Sequence, residues 1–204
     1  MDEAYRAHIA LGGDPDRAYA LDNFCWPDPV LSPDTPDGEY KLAQLVRACR
    51  GLHDACVAYN LPLISGKDSM KNDARLAGRK VSVRPTLLIS LMGVIEDAAT
   101  ARSTDFVAAG HAIYLLGETR GELGGTAFEK LLQRGDPAAV DHLGPAPRVE
   151  PQSALALYRA LHAAIGNGLV ATCHDLADGG LAVALAESAL GGRLGARIDI
   201  APLL

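Results

Sequence analysis

Strand-like and helix-like apolar spacing alternates in both halves of the chain, and this predicts an α+β (α/β) protein. Two further observations support that class. One long stretch keeps a strict 3.6-residue period, and Gly- and Pro-rich punctuation separates the short apolar runs. The first run, "RAYALDNF", reads as a strand that stops at the Pro-rich "WPDPVLSPDTPDGE". A helix follows over "YKLAQLVRACRGLHDACVAYN", where Leu42, Leu45, Val46, Cys49, Leu52, Cys56 and Tyr59 share a stripe. Asp37 or Gly38 is positioned to cap it, and Pro62 ends it. "PLIS" reads as a short buried strand entering a polar cluster. "KVSVRPTLLISLMGVI" reads as a long strand in which Pro85 marks a bulge or an edge position.

The apolar signal drops across "EDAATARSTDF", which places a domain boundary near residue 105 and predicts domains over 1–105 and 106–204. In the second part, "HAIYLLG" reads as a strand before the Gly-rich "ETRGELGGTAF", and "RGDPAAVDHLGPAPR" as an unstructured loop. A helix is expected from Pro151 to Ile165. A strand over "GLVATCHD" then runs into "LADGG", which opens the helix "LAVALAESALGG", and a final strand covers "ARIDIAPLL". The opening residues form an amphipathic fragment with no strand to pair it. Both ends therefore look cut, and unpaired sheet edges are expected to drive association.

Composition narrows the function. In 204 residues, 49% are hydrophobic and 22% charged, an ordinary globular balance. The net charge of −6 comes without a basic block or a basic–aromatic stripe, which argues against nucleic acid as a partner. No apolar run approaches the length needed to cross a bilayer, and the acidic, polar start is not a secretory signal. Four widely spaced cysteines show no metal or redox spacing and read as reduced thiols of a cytoplasmic protein. Cys49 and Cys56, seven apart on one helical stripe, read as core packing.

Four constellations carry polar chemistry. "SGKDS", Ser65 to Ser69, offers Gly66 for close backbone approach, Lys67 as a charge for phosphate oxygens and Asp68 as a hard ligand for Mg²⁺. It lacks Walker spacing, and a plain turn is the competing reading. In "HDLADGG", Asp178 reads as a helix cap, while Asp175 lies too early to cap and reads as a metal ligand; His174 reads as a hydrogen-bonded neighbour. In "ELGGT", Gly124 and Gly125 precede a helix whose N-terminus suits an anion, with a simple turn as the alternative. Asp22 and Asn23 end the first strand, where either a site or turn chemistry is expected. His53 and His162 fall at solvent-facing helical phases.

Taken in order, "ALDNFCWPDP", "ACVAYNLPLISGKDSMKND", "LLGETRGELGGTAF" and "HDLADGGLAVALAES" resemble the synthetase region of the phosphoribosylformylglycinamidine synthases. That family sits in the aminoimidazole-ribonucleotide-synthetase-like ATP-binding superfamily. The resemblance implies the end of an N-terminal-type sheet domain followed by part of a C-terminal-type α/β domain, from the second half of the synthetase. It implies an ATP- and Mg²⁺-dependent ligase joining glutamine-derived ammonia to formylglycinamide ribonucleotide. Asp22 would contact the nucleotide, as would Gly66, Lys67, Ser69, Gly124 and Gly125, with Ser69 close to a substrate-contacting serine. Asp68 and Asp175 would bind Mg²⁺. Ala177 stands where many members carry a nucleotide-contacting Ser. The family's catalytic histidine and glutaminase correspond to no part of this sequence, so no catalytic residue is assigned. The implied partners are the remaining synthetase domains and a glutaminase. Two other readings remain: another superfamily member such as an aminoimidazole ribonucleotide synthetase, or a nucleotide-binding or assembly module without catalysis.

Overall fold

The computed structural model describes residues 1–135 and 137–201, except for the side chains of 137–139. It divides into two compact units: Met1–Tyr5 with Asp16–Val94, and Arg6–Pro15 with Ile95 onward. The first helix, α1 (Asp2–Ala10), contributes residues to both.

The first unit is built on a three-stranded sheet. Strand β1 (Ala18–Cys25) is central, paired in parallel with β2 (Leu63–Ser69) and antiparallel with β5 (Thr86–Gly93). Helix α2 (Gly38–Tyr59) connects β1 to β2, the crossover that a parallel pair requires. A small hairpin, β3 (Ala74–Leu76) and β4 (Arg79–Val81), stands apart from the sheet. It turns on Ala77 and Gly78, both at positive φ, the two-residue geometry that matches strand twist.

Small residues let β1 sit deep: Ala18 and Ala20 are buried and alternate with exposed Tyr19. Phe24 and Trp26 pack at 5.8 Å between ring centroids, and the Trp26 indole N–H donates to the Lys41 carbonyl at 3.1 Å. Tyr5 and Tyr59 pack at 5.4 Å, and the Tyr59 hydroxyl donates to Asp2 at 2.6 Å. Asp37 does precede α2, but its carboxylate pairs with Lys41 Nζ at 2.9 Å and caps no backbone N–H. Asn60 ends the helix in the left-handed region, and the Leu61 N–H returns to the Cys56 carbonyl, the closure that lets Pro62 follow.

Several expectations for this unit are corrected. The strand expected over 80–95 is two strands, because Pro85 donates no ladder hydrogen bond and Ser82–Pro85 lies between β4 and β5. "PLIS" is not buried: β2 is an edge strand, with Leu63 and Ile64 exposed. It also runs on through Ser69, so the polar cluster is a strand and not a turn. Cys49 is exposed and Cys56 half-buried, both in a cleft, so that stripe of α2 is not closed core.

The second unit holds helices α3 (Ala127–Gly135), α4 (Pro151–Gly166) and α5 (Gly180–Gly192), with 3₁₀ turns at Ala98–Thr100 and Pro137–His142. Ile9, Tyr158, Ile165 and Ala184 are among its buried residues. Arg102 donates to the carbonyls of Val170 and Ile165, tying the segment after α4 to the loop after the first 3₁₀ turn.

None of the three strands expected here forms among the described residues. Segments 111–117, 168–175 and 196–201 have no ladder partner, and residues 202–204 lie outside the described chain. Apolar alternation marks a segment that can pair, but pairing needs a neighbour; Tyr114 and Leu169 are about 80% exposed (82% and 78%). The expected loop over 134–148 is partly ordered by a 3₁₀ turn and by hydrogen bonds from Leu123 and Gly124 to the carbonyls of Leu143 and Pro145. His162 is half-buried rather than solvent-facing, with Nδ1 shielded and lacking a hydrogen-bond partner.

Candidate functional site

The parallel register sets Asp22 beside Gly66, Asn23 beside Lys67, Phe24 beside Asp68 and Cys25 beside Ser69. Side chains alternate along a strand, so one face carries Asp22, Gly66 and Asp68, and the opposite face carries Asn23, Lys67 and Ser69. The missing side chain of Gly66 leaves room for the Asp22 carboxylate, which lies across it; a Cβ there would sit 3.1 Å from Asp22 Cγ, with Oδ1 closer still.

Asp22 and Asp68 line a cleft of about 490 Å³ between the sheet and α2. Its walls are apolar: Phe24, Leu45, Cys49, Leu52, Cys56 and Met70. Loss of water pushes the Asp68 carboxyl above its ordinary range, and the charge of Asp22 and a hydrogen bond shared with it push further. The same surroundings raise the Cys56 thiol, first through burial and then through Asp22. Two adjacent carboxylates make a site whose repulsion a hard cation would relieve, so this donor pair fits Mg²⁺. Among the described residues, however, no three His, Cys, Asp or Glu side chains converge as a complete ligand set.

In the second unit, Asp175 is largely shielded, with 18% of its side chain exposed. His174 donates its Nε2–H to the Glu187 carboxylate at 2.9 Å, and its Nδ1 stands 3.8 Å from Asp175. Burial and then the Asp175 charge raise the Cys173 thiol. Asp178 does not cap α5; Gly179 holds that position at φ 87°, where a side chain on residue 179 would strike Val183.

The Gly124–Gly125 turn is internally committed. The Gly124 N–H donates to Pro145 at 3.0 Å, and the Gly125 N–H donates to the Glu129 carboxylate. The Thr126 hydroxyl accepts from the Glu129 N–H at 3.4 Å, while the Glu129 carboxylate reaches past Thr126 to the Gly125 N–H.

A further charge cluster escaped the sequence reading. Lys80 Nζ stands 3.4 Å from Asp28 and 3.3 Å from Asp73, and Asp73 also accepts the Asp28 N–H at 3.0 Å. Lys71 reaches Asp28 at 3.6 Å from a left-handed backbone, φ 58°. Burial raises Asp73, but hydrogen bonds from the Asp28 N–H, Ser82 and Lys80, with the Lys80 charge, outweigh it and hold the carboxyl below its ordinary range. Asp28 is lowered first by the Val30 N–H and then, against desolvation, by Lys80 and Lys71. This latch fastens the Pro-rich loop to the residues that follow β2. Asp28 lies 45 and 52 positions from Asp73 and Lys80, separations that no periodicity signals.

Comparison with known proteins adds the family context. Residues 108–204 match the family model described as AIR synthase related protein, C-terminal domain. A phosphoribosylformylglycinamidine synthase subunit PurL of Streptomyces avermitilis is 35% identical over 202 residues, covering 98% of this chain and 24% of that protein. The subunit so named from Thermobifida fusca is 36% identical over 200 residues, 97% of this chain and 24% of its own length. That from Gloeobacter violaceus is 36% identical over 167 residues, 80% of this chain and 20% of its own. The chain thus spans about a quarter of the length of the first two (24%). Over nearly its whole length the chain is similar to phosphoribosylformylglycinamidine synthase subunits, and its residues 108–204 match the AIR synthase related C-terminal domain model.

Proposed function

We propose that this chain supplies part of an ATP-dependent ligase of de novo purine synthesis, which converts formylglycinamide ribonucleotide and glutamine-derived ammonia to formylglycinamidine ribonucleotide. In that reaction ATP phosphorylates the amide oxygen, and ammonia displaces phosphate from the resulting iminophosphate. The observation that carries the reading is the Asp22–Asp68 pair over Gly66, at the end of an apolar cleft, in a chain similar to synthase subunits across 98% of its length.

Asp68, with Asp22 beside it, would hold Mg²⁺, which would supply positive charge beside the transferring phosphoryl group. Asp175, in the second unit, would be a Mg²⁺ ligand of that unit, in the shielded position it shares with His174. Gly66 gives room, Lys67 and Ser69 face phosphate or substrate oxygens, and Gly124 and Gly125 form the further nucleotide contact. Residues 1–105 act as the N-terminal-type domain and 106–204 as the C-terminal-type domain. The working assembly is cytoplasmic and includes the remaining synthetase domains and a glutaminase. Exposed edges such as β2 serve association.

One observation favours a second reading, a nucleotide-binding or assembly module without catalysis. Only two carboxylates meet in the cleft, and no third ligand joins them among the described residues. Calorimetry of Mg·ATP and Mg·ADP on the wild type, Asp68→Ala and Asp175→Ala separates the cases. Binding that either substitution weakens, with ammonia-dependent phosphate release once the missing synthetase parts are added, supports the ligase. Nucleotide binding without phosphate release supports the module. No binding at millimolar nucleotide refutes both.

A further inference from the structure

The segment that carries Asp175 lies in neither a strand nor a helix, so its own backbone does little to fix it. Its conformation rests on groups reaching in from elsewhere in the second unit. Before Asp175, the His174 Nε2–H is held by Glu187 of α5 at 2.9 Å. After it, the Leu176 carbonyl accepts from Arg6 Nη2 at 2.6 Å, a bond that spans 170 positions of sequence. Asp175 is therefore the single residue between two tethered neighbours. Among the described residues no hydrogen bond reaches its carboxylate, although only 18% of the side chain is exposed. His174 Nδ1, buried and without a hydrogen-bond partner, stands 3.8 Å away. With the ring proton on Nε2, two shielded acceptors lie side by side and neither has a donor, an arrangement that a cation would relieve.

We infer that Arg6 and Glu187 are positioning residues: they fix Asp175 from both sides, so that its carboxylate and His174 Nδ1 are presented together to a divalent cation. The inference rests on the proposed function for Asp175 as a metal ligand. Arg6 donates to a backbone carbonyl and Glu187 accepts from an imidazole, so each acts through the residue it holds. Tethers at 174 and 176 restrict the backbone of 175 where one alone would leave it free to swing. The hydrogen bond from the Gly180 N–H to the Ala177 carbonyl closes only the turn beyond Leu176, and so cannot replace them. Glu187 also selects the imidazole tautomer, because a carboxylate on Nε2–H leaves the Nδ1 lone pair for the ion.

The test uses the full 204-residue chain with Mn²⁺ as the probe, and reads the NMR signals of residues 174–178 in two ways. ¹⁵N relaxation without metal reports how ordered the segment is, and line broadening by Mn²⁺ reports affinity at Asp175. Arg6→Met, which keeps an apolar stem, and Glu187→Leu, at a largely exposed side chain of α5, should each loosen the segment. Each should weaken Mn²⁺ there roughly tenfold, while broadening around Asp68 stays as in the wild type. Arg6→Lys, which keeps a donor, should recover part of the loss. A merely structural role would lower the urea midpoint yet leave the order of the segment and the Mn²⁺ affinity of the folded protein unchanged, and that result overturns the inference. Because Glu187 lies on the surface, its variant keeps the test decisive should Arg6→Met fail to fold. Mn²⁺ binding that is lost in Asp175→Asn but indifferent to Glu187→Leu and both Arg6 variants removes the positioning alone. A segment loosened by these variants in a protein whose residues 174–178 Mn²⁺ never broadens upholds the tethers and removes the metal reading.

Discussion

Replacing Gly66 with Ala tests the cleft through its tightest approach. The added methyl would lie 3.1 Å from Asp22 Cγ and 3.3 Å from Oδ2, with Oδ1 nearer still. Restoring ordinary contact requires the carboxylate to retreat by on the order of 1 Å. Gly66 does not hold a left-handed backbone, so Ala itself is tolerated and gains about 0.5–1 kcal/mol by restricting the unfolded chain. Forcing Asp22 off its rotamer costs about 0.5–1.5 kcal/mol. The two nearly cancel, so urea unfolding should show a change within about 1 kcal/mol. The site should not be spared. With Asp22 swung aside, the Asp68 carboxyl loses a neighbouring charge and a shared hydrogen bond, and its titration should move down toward the ordinary range. Mn²⁺ affinity should fall roughly tenfold as one charged ligand is lost. Carboxyl NMR titration and metal titration on the same samples read both effects. A folded Gly66→Ala variant with the wild-type Asp68 midpoint and wild-type metal affinity would refute the pairing of Asp22 with Asp68.

The pH dependence of stability should carry two opposite signatures. Asp68 is raised on folding, so its contribution is present below the unfolded pKa and lost as pH rises through the folded value; Asp68→Asn should therefore gain on the wild type as pH rises above the ordinary carboxylate range in urea melts. Asp73 is lowered, so its contribution is present at neutral pH and lost as pH falls; Asp73→Asn should be destabilised at pH 7, and the difference should close in acid. Ile165→Ala removes a buried side chain of the second unit and should cost about 3 kcal/mol by chemical denaturation. Thr126→Ala removes the hydroxyl that accepts the Glu129 N–H at the start of α3 and should cost about 1 kcal/mol, read as faster amide exchange in its first turn.

What was legible in the sequence was whatever local spacing records. Helix α2 announces itself through a seven-residue apolar stripe, and β1 and β5 through short apolar runs that find each other in one sheet. Segments 111–117 and 168–175 carry the same spacing yet remain unpaired, because spacing specifies a face and not the neighbour that completes it. The candidate site shows the same limit. Asp22 and "SGKDS" stand out by residue type, but their division between two faces depends on a register that slips between Ala20 and Leu21, where no turn chemistry marks it. The Asp28–Lys80–Asp73 latch is invisible for a different reason: each charge alone looks like ordinary solvated surface.

The bond from the Gly125 N–H to the Glu129 carboxylate changes what nucleotide binding at that turn would mean. The helix already holds an anion, and that anion is tethered four residues away at a high effective concentration. A phosphate arriving there is a competitor and not a newcomer: it gains the backbone donor only by evicting Glu129, whose released charge would then repel it. Affinity at the turn is thus governed by the rotamer of one glutamate, and Glu129→Ala, which leaves the Gly125 N–H without its carboxylate, would convert an exchange into an addition.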